Sequence, residues 1–236
     1  MYRERLMLRC LRQRLASGDV LDAGAGTGSL AISVRESGFR VCALERSLAG
    51  LKALIRRARR EDSSPSLLAA QADAERIPFI DASFDAVLCG EVLEHLADDA
   101  AAVAGFYRVL KPGGICIVTV PAWPKLWTFC DDYAGHYRRY ARDALVALFE
   151  SSGLRILYVG NWGFPLIRLY QRFVFRPYVR RQETAGATSI VAPRRVPSSL
   201  AHIAMSITSF LFAVDNLFLW SRWGVGLVLI AEKAES

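Results

Sequence analysis

Paired cysteines are missing from this chain. The five present, Cys10, Cys42, Cys89, Cys116 and Cys130, lie far apart, with no C-x-x-C among them. That spacing excludes a cysteine zinc cluster and a disulfide framework. Cys42, Cys89 and Cys116 fall in apolar runs, so they read as reduced core residues of a cytoplasmic protein. No apolar run reaches the ~18 residues of a spanning helix. Leu200–Val214 comes nearest, and Asp215-Asn216 end it. Glu4, Arg5 and Arg9 interrupt any leader-like stretch, so no signal peptide is expected. Acids are scarce over 164–223. Eight arginines face only Glu183 and Asp215 there, so this segment holds six of the net +7 charges. The dinucleotide-binding spacing G-x-G-x-x-G is also absent, because position 29 is Ser.

What stands in its place is Val20-Leu21-Asp22-Ala23-Gly24-Ala25-Gly26-Thr27-Gly28. It reads as a buried strand, a glycine turn and the start of a helix near Ser29. The glycines Gly24, Gly26 and Gly28 let backbone turn sharply and approach a ligand with no Cβ in the way. The N–H groups of the turn and helix N-terminus can then donate to that ligand. Asp22 places a carboxylate in the same crevice. A carboxylate there suits a cationic group such as an amino-acid ammonium and suits a pyrophosphate poorly.

Along the chain, helical and strand patterns alternate, which predicts an α/β fold with a mostly parallel sheet. A basic amphipathic helix is expected over 2–16, against the first strand or over the ligand. Strands are expected at 19–23, 39–44, 67–71, 84–89, 115–120, 154–159 and 224–231. Helices are expected at 28–36, 47–60, 98–110 and 142–152, the last without a hydroxyl cap because position 141 is Ala. A further helix is expected to start at Glu91, which would put Glu91, Glu94 and His95 on one face at i, i+3 and i+4. Lys111-Pro112-Gly113-Gly114 reads as a tight turn before the fifth strand. Glu45 ends the second strand, where doubly wound sheets place an acid on ribose hydroxyls. Asp73, after the third, can accept from an adenine amino group.

Taken together, LDAGAGTG, the acid of ALER, QADAERIPF, SFDAVLCGEVLEHL and LKPGGICIVTVP occur in order over about residues 18–121. This set resembles the methyltransferase type 11 group of the class I S-adenosyl-L-methionine (SAM) dependent methyltransferases. The resemblance implies a seven-stranded, mostly parallel, Rossmann-like sheet of order 3-2-1-4-5-7-6, and SAM as cofactor. It implies that Asp22, Gly24, Ala25, Gly26 and Gly28 hold the methionine end. Glu45 and Arg46 would lie at the ribose, Asp73 and Ala74 at the adenine, and Glu91 beside the methyl. The family joins its last two strands as a hairpin, whereas here about sixty residues separate them. Residues 1–163 and 224–236 are therefore expected to form the SAM-binding core, and 164–223 a helical insertion that lids the acceptor. In the insertion, an amphipathic helix is expected over 164–176, with Arg168, Arg172 and Arg176 on one stripe. A loop is expected at 182–198 and an apolar helix at 200–220.

Methyl transfer from a sulfonium needs alignment, water exclusion and, for an oxygen acceptor, removal of a proton. His95 and His136 are the candidate bases. The trio Glu91, Glu94 and His95 resembles the metal-binding E-x-x-E-H of ubiquinone-pathway O-methyltransferases, and the reading adopted here assigns it no metal. Trp123, Trp127, Tyr137, Arg138 and Arg139 are candidates for the acceptor pocket, with Trp162 as a further apolar wall. The expected acceptor is a small molecule or lipid, apolar or anionic-amphiphilic, methylated at oxygen. Examples are a polyprenyl-linked glycan or a prenylated phenol. The basic insertion points to the cytoplasmic face of an anionic membrane. Nucleic acid is disfavoured, since Cys89-Gly90-Glu91-Val92 stands where base-amino enzymes carry Asn-Pro-Pro-aromatic. A nicotinamide oxidoreductase and a non-catalytic SAM-binding membrane protein are the alternatives.

Overall fold

The computed structural model describes residues 2–59, 67–175, 177, 214–218 and 221–235. Its seven strands are β1 (Asp19–Ala23), β2 (Arg40–Glu45), β3 (Leu67–Gln71), β4 (Phe84–Gly90), β5 (Leu110–Pro121), β6 (Leu154–Trp162) and β7 (Gly226–Lys233). They make one sheet in the order β3-β2-β1-β4-β5-β7-β6. β7 runs antiparallel to β5 and β6, and the pairings among β1 to β5 are parallel. This is the α/β, Rossmann-like sheet that the resemblance implied.

Alternation along the strands explains why helices cover both faces. Val41 and Ala43 of β2 point to one side, Cys42 and Leu44 to the other, and all four are buried. The first side packs against α1 (Tyr2–Arg12), α2 (Ser29–Glu36) and α3 (Leu48–Ala58) through Met7, Leu11, Val34 and Leu54. The second packs against α4 (Asp99–Val109) and α6 (Arg142–Ser151) through Val103, Phe106, Leu145 and Phe149. Each of these fully buried large side chains stabilises the fold by ~1.5–3 kcal/mol. A strand buried on both sides reads as continuous apolar sequence, and β5 shows this from Ile115 to Val120.

β1 is flanked by β2 on one side and β4 on the other. The winding therefore reverses beside β1, and the carboxyl ends of β1 and β4 face a crevice at the switch point. The glycine turn leaves β1 into this crevice, and Glu91 leaves β4 into it.

Several expectations need correction. No helix starts at Glu91. That residue has φ +57°, and only a 3₁₀ turn, Leu93–His95, precedes α4. Left-handed backbone cannot open a right-handed helix, so Glu91, Glu94 and His95 do not share a helical face. Lys111–Gly114 lies inside β5. The pairing with β4 slips between Phe84–Leu110 and Ala86–Ile115, so the turn residues form a bulge. α1 ends at Arg12, short of Gly18. A short helix not foreseen, α5 (Phe129–Ala134), is closed by a Thr128/Asp131 capping box. The expected helix over 164–176 is α7 (Leu166–Tyr170), followed by a π turn over Gln171–Phe175. The π turn shifts the side-chain phase after Tyr170, so a single i, i+4 stripe does not continue. Arg176, the expected loop at 182–198 and most of the helix expected at 200–220 lie outside the described residues. Among the described residues no helix is long and apolar enough to cross a membrane.

Gly28 is where the turn meets the packing. It caps α2 with φ +82°, and a Cβ there would lie 2.5 Å from Leu54 Cγ. Gly28→Ala is expected to cost about 2–4 kcal/mol, from left-handed strain plus overpacking. Urea denaturation should show a lower midpoint with an unchanged slope, and an unmoved midpoint would refute the packing role.

Candidate functional site

The crevice at the switch point opens on both sides of the glycine turn. Towards α1 it is a cavity of about 610 Å³, lined among others by Arg3, Met7, Asp22, Gly24, Glu91 and Trp162. Towards β2 and β3 it continues as a smaller cleft of about 210 Å³, where Glu45, Arg46, Asp73, Ala74, Glu91 and His95 meet. Gly24 and Glu91 line both, so the two spaces join at the turn.

Glu45 organises the turn itself. Its carboxylate accepts from the N–H of Gly26 at 2.8 Å and of Ser47 at 2.6 Å. Gly26 has φ +55°, and a Cβ there would meet nothing within 4 Å, so that side of the turn is open. Gly24 differs. With φ +85°, it lies under Val92, whose Cγ2 would be 2.4 Å from any Cβ. Gly24 therefore yields space to the protein, and the N–H groups of Gly24, Ala25, Gly26 and Gly28, expected to donate to a ligand, are instead taken by Leu44, Glu45 and Ala25. Ala25 lines the larger cavity, and its N–H donates to Leu44 O at 2.9 Å. Arg46 and Asp73 stand across the smaller cleft at 3.8 Å. Asp73 also accepts from the Glu75 N–H, and Ala74 is buried beside it.

The electrostatics of the crevice are those of acids out of water. Asp22 is 2% exposed, and its Oδ2 has no hydrogen-bond partner. Burial pushes its pKa up to about 7, with the Ala31 amide pulling down and the Glu45 charge adding to the rise. Glu91 is raised by burial and held back by Arg3, whose Nη1 lies 2.5 Å from Glu91 Oε2. Glu91 Oε1 is buried without a partner. Glu94 is completely buried, with neither oxygen satisfied, and burial together with the Glu91 charge takes it to about 9. His95 is lowered by burial and by the neighbouring His136, so it is neutral at pH 7.

Residues 128–140 pack on the Glu94–His95 turn. The His136 and His95 rings meet edge to face at 4.6 Å. Glu94, His95 and His136 each bring a side-chain N or O to within 4.8 Å of the others. Arg138 is engaged by Asp99 at 2.9 Å and by the Leu96 and Ala97 carbonyls. Arg139 donates to Asp131 at 2.7 Å. Both guanidiniums expected at the acceptor thus brace the loop. Tyr137 is exposed. Trp127 donates to Asp132 at 3.0 Å. Trp123 bonds the Gly224 carbonyl and lines a separate cavity of about 630 Å³ with Tyr140 and Tyr158. Trp162 does line the crevice, and the Arg3 guanidinium lies 5.6 Å from its ring centre.

Sequence reasoning missed Arg3, Met7, Thr119 and Asp131. The α1 residues were legible only as one side of an amphipathic helix. Asp131 had a usable signal, since Thr128-x-x-Asp131 has capping-box spacing.

A family model described as a methyltransferase domain matches residues 21–118. The chain is 34% identical over 117 residues to a ubiquinone biosynthesis O-methyltransferase of Psychrobacter cryohalolentis, covering 49% of this chain and 46% of that one. It is 33% identical over 156 residues to a malonyl-[acyl-carrier protein] O-methyltransferase of Enterobacter lignolyticus, covering 64% and 58%. It therefore spans about half the length of these curated relatives. Among solved structures, the [4+2]-cyclase SpnF superposes with a TM-score of 0.66 at 22% identity, covering 99% of this chain and 82% of that one. At that identity the likeness speaks for the fold alone.

The Asp22 carboxyl generates a test of the crevice that needs no ligand. A raised acid stays neutral in the folded state while the unfolded state ionises, so folding loses stability as pH climbs from the ordinary 3.8 towards about 7. Asp22→Asn removes that loss. Relative to the variant, wild type should lose on the order of 4 kcal/mol of stability between pH 4 and pH 8. Paired urea titrations at the two pH values measure this, and a constant difference would mean that Asp22 is not held out of water.

Proposed function

We propose, starting from the class I SAM-dependent methyltransferase domain that this chain carries, that the whole protein is an enzyme moving a methyl group from SAM to an oxygen of an apolar or anionic-amphiphilic acceptor. The observation that carries this is the pair of buried carboxyls, Asp22 and Glu91, with unpartnered oxygens in the larger cavity at the switch point. Such groups fit a ligand with a cationic end lying along the turn. An ammonium satisfies Asp22. The Asp22-to-Gly28 turn would hold the methionine end, with Gly28 shaping it through packing. Glu45 and Arg46 would take the ribose, Asp73 and Ala74 the adenine, and Glu91 the region of the sulfonium. When bound, SAM supplies an electrophilic methyl on a positively charged sulfur. The protein's share is to orient the acceptor oxygen in line with it, keep water out and accept the proton. His136 and His95 would be the groups that take it.

The two curated relatives named above are O-methyltransferases, which supports oxygen as the target. Trp162, Ile167 and Tyr170 make the larger cavity partly apolar, and Arg3 adds a cation to it. That combination suits an amphiphile with an anionic or phenolic end. Residues 164–223 act as its lid. Tyr137 and Trp127 would border the acceptor from the loop side. This reading assigns the site no metal, with Glu91 already paired with Arg3.

A membrane surface is the source of acceptor that fits the lid. Phe173, Leu217 and Trp223 are 65%, 72% and 61% exposed, Arg172 is exposed with them, and the half-buried Arg168 donates to the Trp223 carbonyl. Asp215 is buried, accepting from the Leu166 and Ile167 N–H groups, so it does not neutralise those arginines at the surface. Arginines near an anionic surface contribute about 1 kcal/mol each, and apolar insertion adds to that.

Two measurements test these readings. Protein incubated with methyl-labelled SAM and lipid or small-molecule extracts should label a product, seen by mass spectrometry, and labelling should survive EDTA. Loss of labelling on chelation, restored by Mg²⁺, would overturn the metal-free assignment. In co-sedimentation, wild type should pellet with anionic liposomes at low salt and release at high salt. An Arg168→Glu/Arg172→Glu variant should stay in the supernatant. Wild type remaining in the supernatant at low salt leaves the insertion as a lid only.

A further inference from the structure

We infer that Asp131 is a positioning residue for methyl transfer, its buried carboxylate fixing the ring of His136 so that Nε2 is the atom that accepts the acceptor's proton. The inference rests on the methyltransferase reading above and adds to it a residue that no motif of that reading contains.

The geometry is specific. The Asp131 side chain is 1% exposed. Its Oδ2 accepts from the Thr128 N–H at 2.7 Å and from Thr128 Oγ1 at 3.0 Å. Its Oδ1 accepts from Arg139 Nε at 2.7 Å and lies 3.0 Å from His136 Nδ1. Burial alone would raise the carboxyl pKa. The Arg139 guanidinium and the Thr128 donors outweigh that and hold it below the usual range, so Asp131 is ionised at neutral pH. An ionised carboxylate only accepts hydrogen bonds, so Nδ1 of a neutral His136 must carry the hydrogen. The lone pair then sits on Nε2. The opposite tautomer would set two acceptors 3.0 Å apart in a nearly dry pocket.

The ring so fixed is 15% exposed and reaches the smaller cleft through His95. It packs edge to face on His95, which lines the cleft beside Glu91. The charged and titratable groups around it are Asp131, Arg139, Glu91, Glu94 and His95. Arg139 neutralises the resting charge of Asp131. When the acceptor O–H gives its proton to Nε2, the imidazolium gains the facing carboxylate. In the same step the acceptor oxygen forms a bond to the methyl carbon, the carbon–sulfur bond breaks, and its electron pair stays on sulfur. The charges balance with no further reactant.

Asp131 also caps α5 and receives the His136 backbone through its own carbonyl at 2.9 Å, so a purely architectural role is the competing explanation. Long-range ¹H–¹⁵N spectra of ¹⁵N-histidine-labelled full-length protein, loaded with S-adenosylhomocysteine, separate the two. In wild type, His136 should carry hydrogen on Nδ1, and in Asp131→Asn that signature should shift towards Nε2. Transfer of labelled methyl into the extract product should fall at least tenfold in kcat for Asp131→Asn, with the SAM dissociation constant within about twofold of wild type. His136→Ala should lose as much, and adding Asp131→Asn to it should cost little more. A wild-type His136 protonated on Nε2 overturns the inference even if Asp131→Asn does not fold. So does His136→Ala with wild-type kcat. If wild type itself labels nothing in any extract, the methyltransferase reading fails, and that result is visible without any variant.

Discussion

Carboxyl groups held out of water are what the crevice is built around. Asp22, Glu91 and Glu94 cluster where β1 and β4 end, and each has at least one buried oxygen that no protein group satisfies. Desolvated acids destabilise a fold unless something opposite in charge arrives. The surrounding sheet makes the arrangement tolerable. Its strands are buried on both faces and packed against helices, so the acid-bearing ends cannot relax towards solvent. A cationic ligand then gains what the protein alone forgoes. Arg3 already meets part of that demand at Glu91, from a helix laid across β4 and β5.

The second constraint is topological. A crevice arises beside β1 because the chain winds away from it in both directions, leaving two strand ends with no crossover above them. Everything local then follows from small residues at particular places. Gly26 has nothing where a Cβ would stand, Gly24 makes room for Val92, and Gly28 makes room for Leu54. Glu45 ties the turn to β2 by accepting the Gly26 N–H, so an acid expected to meet a ribose also shapes the loop next to it.

The loop of residues 128–140 shows how a few polar contacts substitute for regular structure. One buried aspartate gathers Thr128, His136 and Arg139, and Tyr140 reaches Asp99 at 2.6 Å. Charged pairs of this kind contribute most when fully hydrogen-bonded, because each partner left alone would be a buried charge. The same contacts withdraw Arg138 and Arg139 from solvent and set the imidazole edge against His95.

The sequence by itself determined the sheet, its order through a family pattern, and the turn from Asp22 to Gly28, because strand periodicity and glycine spacing are local and repeat their signal over many residues. It also placed Glu45 and Asp73 at strand ends. It misplaced Glu91, Glu94 and His95 on a helix, since the letters have helical spacing while the backbone at Glu91 is left-handed. Only the tertiary structure decided which side chains are partnered. Arg3 to Glu91, and Lys111 to Asp19 and Asp85, join residues far apart in the chain, and Asp131 to His136 depends on the path of a loop. Burial is likewise a property of the assembled sheet. The same carboxyl that is ordinary in the unfolded chain becomes, at Asp22, an acid raised to about 7 once α1, α2 and β4 have closed around it.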